Sequence, residues 1–289
     1  MNNLTRAMEP ALLPREHIEN KTRGEIEAYI GGRGKTRVHQ GARNLSLNVS
    51  HDYGNRFLVE LIQNAHDAHP GDRDDGEIAI VLAPQESTHG CLYVANRGNG
   101  FRSDDFESIT NIALSSKPVN ESIGNKGLGF RSVLQICNWP EIYSVWPGGR
   151  DRTFDGYCFR FAKEADLGVI LSDMGHASLG AEIWENMPCW FLPVVAEERP
   201  GLISRFARDG FASVVRMPLE SVEARTAVIE QIDWLLELET PLHLFLNRIT
   251  RISIEREPDK VELLQRKSIA TWNRSGVDIR RLESARMNF

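Results

Sequence analysis

The segment "FLVELIQNAHDA", residues 57 to 68, sets Glu60, Asn64 and Asp67 at i, i+4 and i+7. At 3.6 residues per turn these positions fall within an arc of about 60° and share one helix face. A carboxamide oxygen suits hard Mg²⁺, which keeps most of its water and takes few protein oxygens beside substrate phosphates. A neighbouring carboxylate, ionised at neutral pH, can orient and deprotonate a water for in-line attack. Leu58, Leu61, Ile62 and Ala65 occupy the broad opposite face, so the spacing predicts a helix lying on a sheet with its polar stripe turned into a cleft. A solvated polar edge is the alternative that the helix alone leaves open.

Two glycine clusters follow. "NRGNG", residues 96 to 100, ends the apolar run "CLYVAN" with an amide and two glycines. Gly98 and Gly100 let the backbone come close to a flat ligand, while Asn96 offers hydrogen bonds to its edge. "GNKGLGF", residues 124 to 130, runs into a helix start, where backbone N–H groups and the helix dipole make an anion site. Its residues are Gly124, Asn125, Lys126, Gly127, Leu128, Gly129 and Phe130. Either cluster alone reads as a turn, but in this order after the helix stripe the combination is hard to produce by chance.

Positioning these groups requires a sheet and helices. "GEIAIVLA" and "CLYVAN" read as two strands of a hairpin across "PQESTHG". "FRSDDFESITNIA" reads as a helix with Ser103 as N-cap and Phe106, Ile109 and Ile112 at helical spacing. "FRSVLQIC" is helix-like, and "EIYSVW", "GYCFRF" and "FASVVRM" are further strands. "VEARTAVIEQIDWLLELE" is a long helix, and a shorter helical stretch lies at "REHIENKTRGEIEAYI". Hairpins mixed with helices, without strict alternation, predict an α+β sandwich and not a doubly wound fold. Residues 1–50 read as an arm and 51–255 as the main domain; 256–289 read as an extension or the start of a truncated second domain.

Composition narrows the function classes. With 289 residues and 41% apolar content the chain buries a sizeable core. A net charge of -6 gives no global field for nucleic acid; only "RSGVDIRRLESAR" offers a local basic contact, and a solvated helix face is the plainer reading there. No apolar run reaches the length of a membrane span, and the start lacks an apolar signal core. Cys91, Cys137, Cys158 and Cys189 are too scattered for a zinc site or disulfide framework. The expectation is a reduced, cytoplasmic protein. "GGRGKT", residues 31 to 36, lacks the phosphate-loop glycine where Tyr29 stands and has no leading strand, so it reads as a basic loop. His51 in "VSHDYGNR" lies too close to Glu60 for a phospho-acceptor histidine on a separate helix.

"ELIQNAHDA", "VANRGNGF" and "IGNKGLGFRSVL" resemble the three ATP-site motifs of the GHKL superfamily of gyrase, heat-shock-ninety chaperones, histidine kinases and mismatch-repair ATPases. "YGNRFLVELIQNAHDA", "LSSKP" and "GLGFRSVLQICNWPEIYS" are most similar to its sacsin-type branch, and "LHLFLNRITRISI" is similar to the segment that closes the ATP domain there. The resemblance covers residues 50 to 255. It implies a two-layer α/β sandwich whose mixed, mostly antiparallel sheet is covered on one face by helices. It implies ATP and Mg²⁺ as cofactors, Glu60 as general base and Asn64 as Mg²⁺ ligand, with Asp67 in the outer shell of the pocket. Gly98 and Gly100 would admit the adenine, and Ser213 matches a strand Thr near it. Residues 101 to 122 would form a lid with Lys117 on phosphate, and Gly124, Gly127 and Gly129 would supply the phosphate loop.

Two features depart from that pattern. Asn96 stands where the superfamily usually reads adenine with Asp; it keeps an acceptor oxygen and adds donors. Chaperone-like members also complete the site with a basic residue from a following domain, and the residues after 254 are too few for one. Either the chain is a piece of a longer protein or a partner supplies that half. The expected function is an ATP-driven switch in which lid closure favours a homodimer or partner contact. A nucleotide sensor with little turnover is the alternative, and a DNA-handling ATPase is third. The H-R-D and D-F-G elements of protein kinases are absent.

Overall fold

A computed structural model describes residues 13–33, 56–72, 74–111, 129–146, 153–238, 242–257, 260–274 and 277–288. Lys117, Gly124, Asn125, Lys126, Gly127, Leu128, His51 and the expected lid beyond Asn111 lie outside the described residues. The chain begins with α1 (Pro14–Gly32), α2 (Phe57–Asp67), β1 (Gly76–Ala83), β2 (Cys91–Asn96) and α3 (Ser103–Thr110). A 3₁₀ helix (Phe130–Gln135) leads into β3 (Glu141–Ser144), β4 (Phe159–Phe161), α4 (Glu164–Asp173), α5 (Gly180–Asn186) and β5 (Pro193–Val195). Then come α6 (Ile203–Arg208), β6 (Ser213–Pro218), α7 (Val222–Glu237), β7 (Ile249–Glu257), β8 (Lys260–Arg274) and β9 (Val277–Asn288).

The strands form one nine-stranded sheet in the order β5-β4-β3-β6-β2-β1-β7-β8-β9. All pairs are antiparallel except β1 with β7. The expected α+β sandwich with a mixed, mostly antiparallel sheet is the observed architecture. Strand β2 is buried along its whole length because β1 and β6 flank it and both sheet faces are covered there. Ile78, Ile80, Leu82, Leu92 and Val94 meet the helical layer, where Leu58, Leu61, Ile62, Phe106, Val228 and Ile232 close the main core. Alternate residues, Ala79, Val81, Cys91, Tyr93 and Ala95, face the other way, and the short α6 covers part of that side through Ile203 and Phe206.

Helix α1 joins the main core through Ile18 and Ile26, both with essentially no exposure. It is bound to α3 by polar side chains: His17 lies 2.7 Å from Glu107 and 2.8 Å from the Tyr157 hydroxyl, and Lys21 donates to Asn111 at 2.6 Å. Phe106 anchors α3, stacked on Tyr157 with ring centres 5.0 Å apart and edge-on to Phe159. Beyond β7, β8 and β9 extend the same sheet as a long hairpin.

Several local expectations need correction. The N-cap of α3 is Arg102, not Ser103: the Asp105 carboxylate accepts the Arg102 N–H at 3.0 Å, so the acidic first turn reaches back one residue further than assumed. "FRSVLQIC" forms a 3₁₀ helix and not an α-helix. "RSGVDIRRLESAR", read as a helix face, enters strand β9. The first two residues of "GGRGKT" close the last turn of α1, and residues 34–36 lie outside the described residues.

Candidate functional site

Helix α2 lies on the sheet as its spacing predicts, with Leu58, Leu61, Ile62 and Ala65 nearly or fully buried. Its amino end is held by the Gln231 side chain of α7, which accepts the Leu58 N–H at 3.0 Å. Arg248, just before β7, donates to the His69 carbonyl at 3.1 Å and approaches that of Asp67, a cation at the carboxyl end of the helix dipole. The "NRITRISI" segment therefore fixes where α2 stops.

Between α2, α3, β2 and β6 lies a cavity of about 340 Å³. Asn64 and Asp67 form part of one wall, Asn96 and Ser213 sit on the strands beneath, and Gly100 and Phe130 border it. Leu61, Val94, Ile109 and Val215 supply apolar lining between these polar groups, so that the cavity offers both kinds of surface to a ligand. Thus the cavity brings together residues from three of the sequence motifs and from the distant strand β6.

The polar groups differ in how far they are already engaged. The Asn64 amide is half-buried, and none of the described residues makes a hydrogen bond to it. Asn96 is buried; its Oδ1 accepts the Gly98 N–H at 2.9 Å and its Nδ2 donates to Ser213 Oγ at 2.6 Å. The Asp67 side chain is 0% exposed and its Oδ1 lies 3.1 Å from His66 Nδ1. His66 Nε2 in turn meets Asn247 Oδ1 at 2.8 Å, so the buried Asp67 carboxylate is linked through His66 to the segment just before β7.

Glu60 is half-buried one turn before Asn64 and is not among the cavity-lining residues. Loss of solvent raises its pKa, against the opposing charge of Arg56. Both glycines of "NRGNG" allow close approaches of the protein's own backbone. A Cβ on Gly98 would stand 2.6 Å from the Ala68 carbonyl oxygen, and one on Gly100 2.1 Å from that of Val145. The Asn99 N–H donates to the Ala68 carbonyl at 2.8 Å, which clamps this turn to the end of α2.

Sequence reasoning passed over Asn99, Phe101, Arg102, Asp104, Asp105 and Ser108 as individual site residues, although all line the cavity. The signal was the helix wheel: Phe106 faces the core, which turns Asp104, Asp105 and Ser108 toward the opening. Arg131 was also unmarked. It is 3% exposed, donates to the Asn111 carbonyl at 2.6 Å, and lies 4.8 Å over the Trp190 ring, joining the end of α3 to the 3₁₀ helix.

The donor chemistry fits a magnesium nucleotide: an unengaged amide oxygen on one wall, suited to a hard cation, and a polar amide and hydroxyl below, suited to the edge of a base. Among the described residues no helix is long and apolar enough to cross a membrane. Residues 45–154 match the family model described as the Sacsin domain. Protein NO VEIN of Arabidopsis thaliana is 23% identical over 220 residues, covering 75% of this chain. The chain spans about 7% of the length of that relative. The matched residues 45–154 hold every expected site residue but Ser213, and the Sacsin domain to which they are similar is of the GHKL, heat-shock-ninety-like N-terminal type.

Proposed function

We propose that the chain is a Mg²⁺-dependent ATP-binding switch that hydrolyses ATP and whose closure favours a homodimer or a partner protein. The observation that carries this reading is the juxtaposition in one cavity of the unengaged Asn64 amide with the Asn96–Ser213 pair. Asn64 would hold the metal, which when bound neutralises phosphate charge. Asn96 and Ser213 would hold the base edge. Glu60, its proton affinity raised by burial, would orient and deprotonate the attacking water. Helix α3 borders the cavity and is tied to α1, so nucleotide contacts at its polar face would be felt by the N-terminal helix.

Calorimetric titration of the purified chain with ATP, with and without Mg²⁺, tests this. Binding should require Mg²⁺, and Asn64→Ala should weaken it by at least about ten-fold without altering the fold. Unchanged affinity in that variant removes the metal assignment.

A second reading, a nucleotide sensor with little turnover, is favoured by the place of Glu60 outside the cavity wall. Phosphate release separates the two. For a switch that turns over, Glu60→Gln should bind ATP normally and lose about 10²- to 10⁴-fold in rate. The unaltered rate should fall as pH drops through the raised pKa of Glu60, because the base acts only when deprotonated. No turnover in the unaltered chain leaves the sensor.

A further inference from the structure

The Asn96 amide can be oriented from its neighbours. Gly98 N–H lies 2.9 Å from one terminal atom, and only an oxygen can accept there, so that atom is Oδ1. Nδ2 therefore faces Ser213 Oγ at 2.6 Å, and the hydroxyl must be the acceptor. A hydroxyl that accepts from an amide keeps its own proton to give away. Among the described residues none takes that proton, and both side chains line the cavity.

Three bonding positions are thus left at the cavity floor: the second Nδ2 hydrogen, the Ser213 hydroxyl proton and the remaining lone pair of Oδ1. Two donate and one accepts. A carboxylate at residue 96 would reverse this, since Ser213 would turn to donate to it and the oxygens would offer lone pairs only. Such a floor takes one hydrogen from either purine and returns none, so that N1 of a 6-aminopurine and O6 of a 6-oxopurine would each face an anion. The floor present here satisfies both. A 6-aminopurine gives an N–H to Oδ1 and receives one at N1; a 6-oxopurine gives its N1–H to Oδ1 and receives at O6.

We infer that Asn96 and Ser213 set the base selectivity of this pocket, and that it accepts 6-oxopurine and 6-aminopurine nucleotides alike. The inference rests on the nucleotide-pocket reading given above. It names nucleoside triphosphates of either purine class as ligands.

The test is calorimetry of the full chain with Mg²⁺ and either ATP or inosine triphosphate, which differ only in the groups at C6 and N1. The two affinities should agree within about three-fold. Asn96→Ala should then weaken both nucleotides by about ten-fold or more, because each base loses an acceptor and a donor at once. Inosine triphosphate binding over ten-fold weaker than ATP in the unaltered chain overturns the inference and leaves the pocket standing. Binding of neither overturns both. Unchanged affinities in Asn96→Ala overturn Asn96 as the determinant, and the comparison in the unaltered chain depends on no substitution folding.

Discussion

Strands β2 and β6 carry two polar constellations on opposite faces of the same ladder. On the face away from the cavity, Tyr93 pairs in register with Arg216; three residues along, Asn96 pairs with Ser213. Around Arg216 the bonding is closed. Its guanidinium lies 2.8 Å from Glu86 and 2.8 Å from Glu141, and the Tyr93 hydroxyl donates to Glu86 at 2.6 Å. Gly201 roofs the cluster so closely that a Cβ there would stand 2.2 Å from the Tyr93 oxygen. Around Asn96 the bonding is open, with a hydrogen, a lone pair and a hydroxyl proton left over in a cavity. Two buried polar groups three residues apart on one strand pair therefore differ: the closed one ties β2 and β6 to Glu86 and Glu141, and the open one leaves bonding positions at the cavity.

The largest effect should come from opening the closed side. Arg216→Met leaves two carboxylates facing each other without a cation and should cost about 3 to 5 kcal/mol in urea denaturation. A loss below about 1 kcal/mol would erase the distinction. Gly100→Ala is next, since its Cβ would meet the Val145 carbonyl at 2.1 Å and the contact is backbone on backbone. About 1 to 3 kcal/mol is expected, read as a lowered thermal midpoint that saturating nucleotide partly restores. The smallest effect sharpens the comparison most. Ser213→Ala should change stability by less than about 1 kcal/mol, because water in the cavity can take the Asn96 Nδ2 hydrogen in place of the hydroxyl. A cost as large as that of Arg216→Met would mark Ser213 as structural.

What the sequence made legible was whatever depended on local period. The apolar runs "GEIAIVLA" and "CLYVAN" on either side of the turn-rich "PQESTHG" mark the hairpin, observed with Ile78 opposite Asn96 and Ala83 opposite Cys91. The 3.6-residue period placed α2 with its apolar face down and Asn64 on the cavity. Less legible was the interior direction of polar side chains. Asp67 shares the stripe with Asn64, yet its carboxylate is fully buried beside His66, which in turn meets Asn247, 181 residues later. The glycines of "NRGNG" are expected to admit a flat ligand, whereas the close approach observed at both is that of the protein's own backbone, which a sequence cannot show. Helices α4 and α5 were passed over, although the Asp166 carboxylate accepts the Lys163 N–H at 2.7 Å and so marks the start of α4. The parallel pairing of β1 with β7 had no local signature at all.

That parallel pair carries a consequence for how the chain comes to be folded. Thr250 bonds the Gly76 carbonyl across 174 residues of sequence, and β1 has no other neighbour on that side. During synthesis at about 5 to 20 residues per second, β1 leaves the ribosome on the order of ten to thirty seconds before β7 exists. Throughout that interval one edge of β1 holds bare N–H and C=O groups beside Ile78, Ile80 and Leu82, a template for pairing with another chain. The hairpin partner β2 emerges early and can protect only the opposite edge. Nascent chains stalled before residue 249 should thus be the aggregation-prone species, and release of β7 the event that makes them soluble.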